Sequence, residues 1–402
     1  MKNNILSRSC STELFVMLFL TWLVGAGAAD AQTPGSNPPN DKVTKYAQLN
    51  AETSKQLTQF LKEFHLPSIS LAIRIKDDMI FVEAQGLASI ADNRTAATST
   101  PYAVGSLAKP LSTSALMRLV QDGKLSLDDS IHKHITDYPR ENGGFNIRQL
   151  ASHTAGIRHG TTGRLIKEWL NPKKHFHPHE ALDFFKDERL LFVPGSKFTY
   201  SSSGYVLLSD VIAKASGKPY TKAMQELVFE PLKMLHTEHD IDGAAKDEEA
   251  VYYSSFANGK FIPAITRRDR SYLFGGGGYL STPVDLVNMA QNMRDNDYLG
   301  DEVQKQLFTP VKLDNGDDNP QKYALGWRIQ TRQNLKVNGK PVLGIHHGGT
   351  VSRAASAFLL TYPVYQASIA FATNTIPKSD DSNGDLRNEM WVLLGKYVAT
   401  TR

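Results

Sequence analysis

The sequence predicts an α+β fold: an antiparallel β-sheet flanked by N- and C-terminal helices, with a mainly helical domain inserted into it. Three observations predict it. Apolar residues alternate in a hairpin pattern near the start, and three strand-like segments cluster near the end. The stretch between them, about residues 110–300, reads as helices and loops. Strands so far apart in the chain join one sheet if the middle is an insertion, leaving an α/β part of about residues 45–109 and 300–400.

In chain order, Lys2 and Arg8 precede an apolar run from Leu14 to Val24, then small residues and Ala29-Asp30-Ala31. This fits a secretory signal peptide cut after Ala31, and predicts a periplasmic or secreted product. The run is shorter than the roughly 20 residues that span a bilayer, so no stable membrane span is expected after cleavage. Cys10, the only cysteine, precedes the run. A mature chain without thiols has no disulfide, cysteine nucleophile or cysteine metal site. Cleavage removes two basic residues (Lys2, Arg8) and two acidic ones (Glu13, Asp30), so the net charge stays +4, too mild and too evenly spread for a nucleic-acid partner. Residues 32–44, rich in Pro, Asn and Gly up to residue 40, read as a linker.

Leu57, Phe60, Leu61 and Phe64 recur at helical spacing, which predicts a helix from about Asn50 to Phe64, ended by Pro67. Ile69, Leu71, Ile73 and Ile75 alternate with smaller or polar residues, Asp77-Asp78 turns, and Met79 to Ala84 returns as a hairpin. A helix follows Ser106 and stops at Asp122-Gly123; another spans Val206 to Ala215 and stops at Gly217. Strands are expected at Leu343–His346, Ala354–Tyr362 and Gln366–Asn374, and a terminal helix at Leu386–Val398.

Chemistry enters with Ser106-Leu107-Ala108-Lys109. One helical turn sets a hydroxyl beside an amine, and a lysine whose pKa is lowered by burial or a nearby cation can take the serine proton. Pro110 disfavours helical geometry at Lys109, which places the pair at the very start of its helix. Tyr200, ahead of Ser201-Ser202-Ser203, is a candidate proton shuttle whose pKa a neighbouring lysine would lower. His346-His347-Gly348-Gly349-Thr350, at the predicted edge of the sheet, offers glycines that admit a substrate backbone and amides that could face an oxyanion. Taken singly, each pattern also fits helix caps, a packing aromatic or a glycine-rich turn.

Together and in order, these segments resemble the serine beta-lactamase and penicillin-binding protein superfamily, class C-like branch, over about residues 45–376. Ser152–His159 and Gly275–Leu286 are similar to bacterial relatives of the mitochondrial serine beta-lactamase-like proteins. The resemblance implies a beta-lactamase/transpeptidase-like fold, with Ser106 as acylated nucleophile, Lys109 as its activator and Tyr200 as base and leaving-group acid. It implies an oxyanion hole from the Ser106 and Thr350 amides, and substrate contacts at Ser202, His347, Gly348 and Gly349. It implies no cofactor.

Three departures from the family pattern bear on substrate. Ser202 stands where Asn is usual, His347 where Lys is usual, and Arg353 where many relatives carry Gly. They favour an esterase, amidase or peptidase acting on a small molecule or peptide. A true beta-lactamase or D-alanyl-D-alanine carboxypeptidase remains the alternative within the family, and a non-catalytic cell-wall binder or scaffold the alternative outside catalysis. His153, His159, His175, His177 and His179 invite a metal reading, but no recognised ligand spacing is present and no metal is expected. The absence of Gly-x-Ser-x-Gly excludes the α/β-hydrolase nucleophile elbow.

Overall fold

The computed structural model describes residues 41–160, 174–240, 248–257, 260–264, 270–294, 297–351, 354–378 and 385–401. The expected signal peptide, the linker up to residue 40 and Arg353 lie outside them; from Lys42 onward the chain clusters into one compact unit. Among the described residues no helix is long and apolar enough to cross a membrane.

Helix α1 spans Asp41–Glu63, so residues 41–44, expected in the linker, are helical. Its first turns lack the apolar periodicity that marks the rest. The first anchor is Tyr46, whose ring stacks on Tyr397 at 5.8 Å. Strands β1 (Ser68–Ile75) and β2 (Asp78–Ser89) form the expected hairpin, with β2 running past Ala84 to pair with β3 (Arg94–Thr95). The later strands are β4 (Arg328–Val337), β5 (Lys340–Val351), β6 (Ala355–Tyr362) and β7 (Ala367–Thr373). They join one sheet in the order β3-β2-β1-β7-β6-β5-β4, every neighbouring pair antiparallel.

Strand β4 was not expected. Its Arg, Gln, Asn and Lys residues break the apolar alternation because it is an edge strand, largely exposed, where charge discourages pairing with another chain. Its presence moves His346–Thr350 from the edge to the second strand in.

The two faces of the sheet carry different side chains. Ile69, Leu71, Ile73, Phe358, Leu360, Ile369 and Phe371 face a core shared with α1 and the terminal helix α5 (Leu386–Ala399). Ala72, Ala357, Ala370 and Ala372 line the opposite face, where the helical part packs. Small side chains there let helix α4 (Pro283–Asn292) lie close over β1 and β7, while the large ones fill the space under α1 and α5. The helical part also holds α2 (Ala108–Gln121) and α3 (Ser202–Ser216). It is less purely helical than expected: Tyr102–Ala103, Tyr279–Ser281 and Glu238–His239 form a small three-stranded sheet, and Tyr253–Ala257 pairs with Lys260–Pro263.

Candidate active site

Tyr102–Ala103 pairs with Tyr279–Ser281, and the Val104 amide continues the ladder by donating to the Tyr279 carbonyl at 3.1 Å. That pairing delivers the chain to Gly105, whose φ of 52° turns it into a short 3₁₀ turn, Gly105–Leu107, leading into α2. Ser106 sits half-buried in this turn and Lys109 lies fully buried one turn later. Pro110 falls in the first turn of α2, where an absent N–H forfeits no helical hydrogen bond, and Lys109 is helical despite it.

The Lys109 Nζ meets three oxygens: Ser106 Oγ at 3.2 Å, Ser202 Oγ at 3.1 Å and the Gly276 carbonyl at 2.8 Å. Burial holds its pKa well below the ordinary lysine value, and the nearby Arg328 cation pushes in the same direction. A neutral amine has two protons and one lone pair. The Gly276 carbonyl can only accept, so one N–H goes there, the other to one hydroxyl, and the lone pair faces the other hydroxyl's proton.

Tyr200 ends the loop before α3. Ser201 caps that helix by accepting from the Gly204 amide at 3.0 Å, while its own amide donates to His153 Nδ1 at 3.1 Å. The Ser202 amide donates to His159 Nδ1 at 3.1 Å. The Tyr200 ring packs 4.4 Å from His153 and 4.7 Å from the Lys109 Nζ, and its phenol hydrogen-bonds with Ser106. Burial pushes the phenol up to about 12, which corrects the expectation that a neighbouring lysine would lower it. The reason is that desolvation of the phenolate outweighs the Ser106 hydrogen bond and the nearby Arg328 cation, both of which act to lower it.

Strand β5 closes the other side. A Cβ on Gly349 would stand 1.8 Å from the Val104 carbonyl oxygen, and one on Gly105 would stand 2.8 Å from Thr350 backbone atoms. The missing side chain at Gly349 therefore admits the protein's own Gly105–Leu107 turn, where a substrate backbone was expected. Gly348 is half-buried beside the Arg387 guanidinium, and exposed Thr350 accepts from Arg387 Nη2 at 3.2 Å through its hydroxyl.

His347 is not at the opening. It is wholly buried, with Nδ1 2.7 Å from the Gly348 carbonyl and Nε2 3.1 Å from the Tyr323 hydroxyl. The carbonyl requires Nδ1 to donate, so Nε2 accepts from Tyr323. Burial, with the Arg328 cation nearby, holds its pKa well below the ordinary histidine value. His347 is a neutral ring behind the site, placed there because alternate residues of β5 face the helical core.

Four contributors were not read as site residues from sequence. Arg328 lies 5.5 Å from the Tyr200 ring and 5.4 Å from the Tyr323 ring; Tyr323, His153 and the Gly276 carbonyl complete the surround. The sequence signal for Tyr323 and Arg328 is a cluster of aromatic and glycine residues, Tyr323 to Arg328, just ahead of an unrecognised edge strand, while His153 and Gly276 lie in the segments Ser152–His159 and Gly275–Leu286 that carry the family resemblance. The other histidines disperse: His179 pairs with Asp210 at 2.7 Å, and His175 packs on Phe184 and Tyr272. Among the described residues no group of three or more His, Cys, Asp or Glu is placed to hold a metal ion.

Comparison with known proteins agrees with this architecture. The human mitochondrial serine beta-lactamase-like protein LACTB is 26% identical over 78% of this chain and 72% of its own length. A penicillin-binding protein from Bacillus halodurans superposes with a TM-score of 0.66 at 20% identity, covering 80% of this chain and 95% of that one. EstCE1, described as a hydrolase with promiscuous acyltransferase activity, superposes at 0.70 with 19% identity over 90% of this chain and 100% of its own. The Beta-lactamase family profile matches residues 53–390, a span that includes the Ser106 turn, Tyr200 and strand β5: the chain belongs to the Beta-lactamase family and is a serine hydrolase of that kind.

Proposed function

We propose that the enzyme cleaves an ester, amide or peptide bond through an acyl-enzyme on Ser106, with Lys109 as the base. The observation that carries this reading is the buried Lys109 amine 3.2 Å from the Ser106 hydroxyl, its pKa lowered by burial and its position anchored by the Gly276 carbonyl. Ser106 Oγ attacks the substrate carbonyl as its proton passes to Lys109. The Ser106 and Thr350 amides stabilise the oxyanion, each by about 3 kcal/mol in the transition state. Tyr200 remains a protonated phenol that orients Ser106.

Substrate choice follows from the β5 strand. A neutral, sealed His347 offers no cation to a substrate carboxylate, which favours ester, amide and peptide donors over a dedicated beta-lactamase. The N-terminal 31 residues fit export to the periplasm or medium.

The test is intact mass and turnover of wild type beside Ser106→Ala with 4-nitrophenyl acetate, nitrocefin and a peptide set. A Ser106-dependent adduct with ester or peptide turnover supports the reading. Adducts from beta-lactams alone would redirect it to a penicillin-binding protein or lactamase. No adduct from any donor would leave a binding module.

A further inference from the structure

Lys109 faces two hydroxyls, and the reading above uses one of them. The other belongs to Ser202, which opens α3 directly after the Ser201 cap and lies half-buried at the site. Ser202 Oγ takes a hydrogen bond from Lys109 at 3.1 Å, and among the described residues no acceptor takes the Ser202 proton. Its backbone is held on both sides, by the hydrogen bond that its amide donates to His159 Nδ1 at 3.1 Å and by Gly276, where an added Cβ would stand 2.7 Å from the Ser202 carbonyl. The hydroxyl is thus a fixed link from Lys109 with one proton to spare.

The Tyr200 phenol hydrogen-bonds with Ser106, and the Lys109 amine lies over the face of its ring, 4.7 Å from the centroid, so the hydroxyl that Lys109 reaches directly beside Ser106 is that of Ser202. Ser202 needs no stable anion: it can give its proton outward while taking one from Lys109.

We propose that Ser202 is a catalytic residue that relays the nucleophile's proton from Lys109 to the leaving group. The step balances within the site. Ser106 Oγ forms its bond to the substrate carbonyl carbon as its proton moves to the Lys109 amine, which becomes an ammonium. The tetrahedral intermediate then breaks its bond to the leaving oxygen or nitrogen. That atom takes the Ser202 proton, Ser202 takes one from the Lys109 ammonium, and Lys109 ends neutral beside an acylated Ser106. An Asn side chain at position 202 could hydrogen-bond Lys109 but could not carry the proton.

The proposal rests on the acyl-enzyme reading, and its test separates the two. kcat/KM is measured for a series of acetate esters from 4-nitrophenyl through phenyl to alkyl leaving groups, with wild type, Ser202→Ala, Ser202→Thr, Ser202→Asn and Tyr200→Phe, and Ser106 labelling by a fluorophosphonate is followed in each. A relay predicts that Ser202→Ala loses about 100-fold or more on alkyl esters, the loss shrinking as the leaving group becomes less basic and smallest for the 4-nitrophenyl ester. Ser202→Thr restores the alkyl rates, and Ser202→Asn does not. An equal loss across the series, or rescue by Asn, would make Ser202 a holder of Lys109 and overturn the proposal. So would leaving-group dependence in Tyr200→Phe with none in Ser202→Ala. If wild type itself forms no Ser106 adduct, the hydrolase reading falls and the relay with it.

Discussion

Gly349→Ala is the sharpest probe of how strand β5 meets the Ser106 turn. The new methyl would lie 1.8 Å from the Val104 carbonyl oxygen, with Leu107 N 3.2 Å away. Carbon and carbonyl oxygen tolerate about 3.3 Å, so strand and turn must separate by about 1.5 Å. Both neighbours are backbone, so no rotamer change relieves the clash. The separation carries the Thr350 amide, the proposed oxyanion donor, away from Ser106, and loss of one such donor costs about 100- to 1000-fold in kcat. Gly144→Ala, with nothing within 4 Å of the added methyl, is the control and should behave as wild type. The assay is kcat on 4-nitrophenyl acetate beside circular dichroism and thermal melting. The expected variant is folded, somewhat less stable and nearly inactive. A folded Gly349→Ala enzyme with wild-type kcat would refute the assignment of Thr350 to the oxyanion hole.

Two pH predictions follow from buried groups. The proposed base acts when neutral, so kcat/KM should rise with pH through the Lys109 pKa, which lies below the ordinary lysine value; Arg328→Gln removes a neighbouring cation and should move that rise to higher pH. An unmoved profile in a variant that still melts like wild type would remove Arg328 from the electrostatics of the site. His239 stacks on Phe274 at 4.8 Å with both ring nitrogens buried and without a hydrogen-bond partner among the described residues, and burial lowers its pKa from 6.5 to about 3. Its neutral form suits the fold, so its contribution is intact above about pH 6.5 and erodes as pH falls toward 3. Denaturant unfolding of His239→Leu should therefore show a shallower acid slope, by about 1.4 kcal/mol per pH unit for one proton, and an unchanged slope would contradict the buried-neutral assignment.

Local spacing made much of this protein legible from sequence. The hairpin of β1 and β2 follows from alternation, α3 stops at Gly217 because its φ of 70° suits glycine, and Ser106 meets Lys109 because three residues make nearly one turn. Those relations depend on neighbours in the chain, so residue order alone determines them. Only the tertiary structure decided the rest. Lys109 meets Ser202 across 93 residues and Gly276 across 167, contacts that no local period encodes. Edge strand β4 lacked alternation because solvent, rather than a second core, lies against it. Sequence chemistry anticipated a lowered Lys109 but not a raised Tyr200. Tyr200 rises, and His347 and Lys109 fall, because packing removes water from each of them, and desolvation is a property of the assembled fold rather than of any segment.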